Sequence, residues 1–122
     1  MSSEALLSWL QTQPNVLFQF RHGIEKEGLR TNASGHISQT DHPHALGSAL
    51  THPTITTDYS EALLEFITPV VTEPEESLAW LEQLHQYAYA VNPAEHIWPA
   101  SMPAVLDGEY SVRIADYGDS HS

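Results

Sequence analysis

The stretch Thr57-Asp58-Tyr59-Ser60-Glu61-Ala62-Leu63-Leu64-Glu65-Phe66-Ile67-Thr68-Pro69 constrains this chain more than any other. It sets three carboxylates in an apolar, strand-like run that stops at a proline. A buried or half-buried segment rarely carries several acids unless something positive sits among them. Two readings follow: a strand with one wet face, or a strand some of whose acids hold metal ions. One straight strand cannot gather these acids. Asp58 and Glu65 are seven apart, an odd number, and strand side chains alternate between faces. A turn or bulge near Ser60-Glu61 puts both on one side. A continuous helix would also align them, but Phe66-Ile67-Thr68-Pro69-Val70-Val71 favours strand. The expectation is a kink near Ser60 and then a strand from about Ala62 to Thr68.

A second acidic run lies upstream. Val16 to Thr31 has strand character, with Phe18 and Phe20 alternating with Gln19 and Arg21. Within Gly23-Ile24-Glu25-Lys26-Glu27-Gly28-Leu29-Arg30, an extended chain points Glu25, Glu27 and Leu29 to one face and Ile24 and Lys26 to the other. Strand residues two apart sit about 7 Å apart. Two carboxylates so placed can share a cation or hold neighbouring cations; an exposed sheet face with two acids is the plainer alternative. Gly23 and Gly28 bracket the pair and suggest a bulge or a close backbone approach.

Charge sharpens the choice. Sixteen acids face four bases, Arg21, Lys26, Arg30 and Arg113, for a formal charge of −12. That balance argues against a nucleic-acid partner gripped through its phosphates. Either the acids bind cations, or the chain is part of a larger body whose basic portion lies elsewhere. Eight histidines are present, yet none forms a His-x-x-x-His or His-Glu-x-x-His pattern. With no cysteine, disulfides and thiolate metal sites are excluded, and a cytoplasmic location fits. No apolar run approaches the roughly 20 residues of a membrane helix, and no basic-then-apolar leader opens the chain. The 122 residues suffice for one small domain with a core.

The remaining segments read as follows. Ser3 to Leu10 is a short amphipathic helix with Leu6, Leu7 and Leu10 at helical spacing and a serine as N-cap. Asn32 to His36 is a turn, and Ile37 to Thr40 returns as a strand. His42 to Leu50 makes a short helix with a proline near its start. Thr72-Glu73-Pro74-Glu75-Glu76 is the strongest helix start, with Thr72 as cap and acids at the positive end of the dipole. Leu78, Leu81, Leu84, Ala88 and Val91 form that helix's apolar stripe, and Asn92-Pro93 stops it. Trp98 to Pro103 is a rigid loop. Nothing marks a linker, a repeat or a second domain.

These motifs together resemble a known family. Gly23 to Arg30 resembles the first motif of the bacterial glutamate–cysteine ligases, also called γ-glutamylcysteine synthetases. His44-Ala45-Leu46-Gly47-Ser48-Ala49-Leu50-Thr51-His52, then Ile55-Thr56-Thr57-Asp58 and Glu61 to Pro69, is similar to the second block. Trp98-Pro99, Ser101-Met102-Pro103, Ala115, Tyr117-Gly118 and Ser120 are similar to the third. The resemblance implies an α+β fold, a partial glutamine-synthetase-like antiparallel sheet with flanking helices. It implies ligation of the γ-carboxyl of glutamate to the amine of cysteine through γ-glutamyl phosphate, with ATP as co-substrate and Mg2+ as cofactor. The metal shell it implies is Glu25, Glu27, Asp58 and Glu65. Tyr59 matches an aromatic near the cysteine pocket. Arg30 has a functional reading beside that of a sheet-edge salt bridge, and Glu61 is assigned to solvent or structure.

The family's enzymes are several times longer, and their nucleotide-gripping segments would lie beyond His121-Ser122. The chain is therefore expected to be a single domain over residues 1–122, the amino-terminal fragment of a ligase catalytic domain, partnered by the remainder of the ligase chain and inactive alone. The alternative is a non-catalytic acidic binding or regulatory protein derived from the ligase. Neither reading calls for a nucleic acid or a membrane.

Overall fold

In the computed structural model, residues 1–117 are described. The elements are α1 (Ser3–Thr12), β1 (Glu25–Thr31), β2 (Ile55–Thr57), β3 (Leu63–Ile67), α2 (Pro74–Val91) and β4 (His96–Ile97). The strands form one antiparallel sheet in the order β2-β3-β1-β4. This is the α+β architecture that the sequence implied.

One face of the sheet is dry. Ile55, Leu64 and Phe66 meet Leu46 and, from α2, Leu84 and Ala88, with Leu81, Val91 and Ile97 packed against them. The His85 ring stacks on Phe66 with centroids 4.4 Å apart. The stripe on α2 differs from expectation at its start. Ser77 is fully buried while Leu78 is 68% exposed. Positions 77, 81, 84, 88 and 91 hold the heptad-like spacing that keeps one side on the sheet, and Leu78 lies off that line. The cap of α2 is Glu73 rather than Thr72, without a side-chain capping bond, because Pro74 itself occupies the first helical position. Helix α1 is capped by Ser2, whose Oγ accepts from the Ala5 N–H at 3.2 Å, and it buries none of its residues.

Three expected elements are shorter or absent. The strand starts at Glu25, since Pro14–Phe18 forms a 3-10 turn and Phe18 and Phe20 lie exposed. Among the described residues upstream of β1 only His22 bridges a partner, Val71, and alternation without a neighbouring strand does not make a ladder. Ile37 forms a single bridge to Thr31 and no strand. The helix over His42–Leu50 shrinks to a turn at His44–Leu46, because Gly47 takes φ +96 and reverses the chain. Gly28 does meet a close neighbour: a Cβ there would lie 2.5 Å from Ile97 Cγ2, so β4 can cross only over a glycine.

Arg30 is a correction. It lies within the protein rather than at a sheet edge, 2% exposed, and pairs with Glu95 at 2.8 Å. Burial alone would push the Glu95 carboxyl up, but hydrogen bonds from Ser38 and Thr40 together with Arg30 outweigh it and hold the carboxyl below its ordinary range. A carboxyl depressed on folding stabilises the protein above its unfolded pKa, and that stability is lost as pH falls through the folded value. Urea midpoints should therefore drop as pH falls below about 4.3. Glu95→Gln should be less stable at pH 7 and show a shallower acid slope. Equal slopes for the two chains would contradict this assignment.

Candidate metal-binding face

The other face of the sheet carries the acids. Register pairs Glu27 of β1 directly with Glu65 of β3, Glu25 with Ile67, and Leu29 with Leu63. Thr56 of β2 pairs with Glu65 from the far side, and its Oγ1 donates to Glu65 Oε2 at 3.0 Å. The turn expected near Ser60 is present: the Leu63 N–H donates to Ser60 O, and the Asp58 N–H to Leu63 O. The ladder thus runs on to Asp58, which by strand alternation shares the face of Thr56 and Glu65. The odd spacing of Asp58 and Glu65 is resolved by the reversal between them.

These four residues do not form one cage. Glu27 and Glu65 face each other at neighbouring-strand separation, about 5 Å between backbones. Glu25 lies one step to one side and Asp58 one step to the other. They are separated by about 13 Å along the strands and about 10 Å across two strand spacings. Among the described residues no three His, Asp or Glu side chains lie close enough to hold an ion as they stand. Tyr59, the expected substrate contact, is exposed beside Asp58.

The donor set fits magnesium. Mg2+ keeps several waters and uses one or two carboxylates with substrate phosphates, so it needs no all-protein cage. Glu27 and Glu65 are like charges held opposite each other, an arrangement that a dication relieves. The bases near them are engaged elsewhere. Lys26 Nζ lies 5.9 Å from the Phe66 ring centroid and donates to the Glu27 backbone carbonyl at 3.4 Å. Arg113 binds Asp41 at 2.7 Å and Arg30 binds Glu95.

Two parts of the third block received no role from the sequence, and the structure sets both against this face. The Trp98–Pro103 loop, closed by Trp98 Nε1 donating to Met102 O at 2.8 Å, forms with Lys26, Glu27, Gly28, Leu29 and Leu63 a cleft of about 600 Å³. It opens beside Glu27. Its rigidity was legible in its two prolines; its position against β1 was not. The second is Tyr117, whose hydroxyl donates to the carbonyls of Thr57 and Asp58 at 3.1 and 2.8 Å. Burial, then the Asp58, Glu61 and Glu65 carboxylates, raise its pKa. Gly118 and Ser120 of the same motif lie outside the described residues.

Glu61 is structural and is not in solvent. It is 3% exposed and accepts backbone N–H groups from His42 and Asp116. His42 is buried as well, with Nδ1 2.7 Å from Thr57 Oγ1, and burial followed by Arg30 lowers its pKa.

Comparison with known proteins places the chain in a family. A family model described as glutamate-cysteine ligase matches residues 7–122. A glutamate–cysteine ligase of Hahella chejuensis is 59% identical over 109 residues, covering 88% of this chain and 21% of its own length. One from Sodalis glossinidius is 49% identical, covering 94% and 22%. Among solved structures, a glutamate–cysteine ligase of Francisella tularensis in complex with AMP superposes with TM-score 0.76 at 35% identity, over 81% of this chain and 20% of that one. A bifunctional glutathione synthetase of Pasteurella multocida gives 0.77 at 40% identity, over 86% and 15%. The chain spans about a fifth of the length of the curated relatives it matches.

Proposed function

The chain belongs to the glutamate–cysteine ligase family, and from that premise we propose that it supplies the metal-binding edge of a ligase active site. The reaction is ATP-dependent ligation of the γ-carboxyl of L-glutamate to the amine of L-cysteine through γ-glutamyl phosphate, the first step of glutathione synthesis. The carrying observation is the pairing of Glu27 with Glu65 on the open face of the sheet. Magnesium, when bound, neutralises phosphate charge during phosphoryl transfer.

The chain's own residues have the following parts in this reading. Glu27 and Glu65 hold the central cation position, and Glu25 and Asp58 flank it at neighbouring positions. Thr56 fixes the Glu65 carboxylate by its hydrogen bond. Tyr59 lies beside Asp58 toward the cysteine. The AMP bound to the Francisella relative supports ATP as co-substrate. A cytoplasmic location accords with a reaction that consumes ATP.

Residues 1–122 make up one domain, the amino-terminal portion of the catalytic unit, and the remainder of the ligase chain is its partner. The exposed apolar side chains of α1 and its turn, Leu6, Leu7, Trp9 and Phe18, support a covering surface of that kind. The chain alone is expected to show no ATP-dependent ligation. Magnesium titration by calorimetry tests the metal role: binding heat should vanish in Glu65→Gln, and an unchanged titration would contradict it.

A further inference from the structure

We propose that Glu61 is a positioning residue for the metal-binding face, its buried carboxylate fastening the 113–117 segment to the turn between Asp58 and Glu65. The proposal rests on the metal role given above to Asp58 and Glu65. Nothing in the sequence pattern marks Glu61 for it.

The geometry points to a clamp with three sides. One carboxylate oxygen accepts the His42 N–H at 2.7 Å and the other the Asp116 N–H at 2.6 Å. Both oxygens are thereby engaged by backbone N–H groups. The backbone of the same turn is held too. The Glu61 N–H donates to Arg113 O at 2.9 Å, Ala115 N–H donates to Tyr59 O at 3.1 Å, and Glu61 O accepts Arg30 Nη2 at 2.9 Å. The segment so fastened ends in Tyr117, whose hydroxyl holds the Thr57 and Asp58 carbonyls. Glu61 thus sets the Asp58 backbone by way of Tyr117, while the turn it occupies leads straight into β3 and Glu65.

The residue type matters. A carboxylate accepts at both oxygens and donates at neither, so it can satisfy two N–H donors at once. A glutamine in its place turns an NH2 group toward one of those donors and must release it. The freed segment would no longer hold the Thr57 and Asp58 carbonyls, and Asp58 would keep its N–H bond to Leu63 O. Partners outside the first coordination sphere typically change metal affinity by about 10–100-fold when removed.

Magnesium calorimetry on Glu61→Gln, Tyr117→Phe, their double variant, Glu61→Asp and Glu65→Gln decides the matter. Each of the first two should weaken magnesium about tenfold. The double variant should be no weaker than the worse single, because both act on one linkage. Glu61→Asp keeps two acceptor oxygens on a side chain one methylene shorter and should recover only part of the affinity. Tyr117→Phe removes only a hydroxyl, so it reports even if Glu61→Gln does not fold. If Glu65→Gln abolishes binding while Glu61→Gln and Tyr117→Phe titrate like the parent, the positioning role is overturned and the metal role stands. Additive losses in the double variant would also overturn it. An unchanged Glu65→Gln titration removes both.

Discussion

Replacing Arg30 with alanine is expected to cost about 3–5 kcal/mol of stability, the range for breaking a buried ion pair from one side. A domain of this kind has about 5–15 kcal/mol in total. Arg30 Nη1 donates to Thr40 Oγ1 at 2.7 Å and to Glu95 Oε2 at 2.8 Å, and Nη2 donates to the carbonyls of Thr40 and Glu61 at 2.9 Å each. Alanine would leave Glu95 charged and shielded from water, with two carbonyls deprived of their donor. Urea unfolding followed by circular dichroism reads the loss directly. The paired change Arg30→Met with Glu95→Leu should cost far less, because no charge is then left unpaired. An Arg30→Ala chain within 1 kcal/mol of the parent would show that the network holds little.

Glu27→Lys should abolish magnesium binding and at the same time stabilise the metal-free chain. Its side chain would stand directly opposite Glu65 and turn a like-charge pair into an opposite-charge one. Cross-strand charge pairs of that kind contribute about 0.2–1 kcal/mol. The opposed signs are the point. The gain in stability follows from the like-charge pair itself and the loss of affinity from the metal role, and a residue kept for binding commonly works against stability. Magnesium calorimetry and urea midpoints on one preparation test both halves. Retained affinity, or a lowered midpoint without magnesium, would contradict the reading.

Much of the face was legible locally and its assembly was not. The odd spacing of Asp58 and Glu65 required a reversal, and the turn at Ser60 supplies it. Alternation placed Glu25 and Glu27 on one face of β1. That Glu27 meets Glu65, rather than a residue two along, depends on register between strands far apart in sequence. Arg30, expected in a salt bridge at the sheet edge, lies instead on the inner side, and its partner Glu95 is 65 residues away, where no local pattern names it. Apolar periodicity misled where tertiary packing decided otherwise. Phe18 and Phe20 alternate without a strand beside them, and Leu78 yields its place in the stripe to the small, buried Ser77. Glu61 looked like one acid among sixteen, since the two backbone groups it satisfies come from distant loops.

Carboxylates from β1, β3 and the β2–β3 turn are proposed to hold divalent cations on one face of the sheet. Manganese(II) added at substoichiometric ratio to isotope-labelled protein reports that location through paramagnetic broadening of backbone amides. The expected result is selective loss of the Glu27 and Glu65 signals, then those of Glu25 and Asp58, with the amides of α2 on the opposite face retained. Broadening centred on the acidic start of α2 at Glu75 and Glu76, or spread evenly over the acids of the chain, would contradict it.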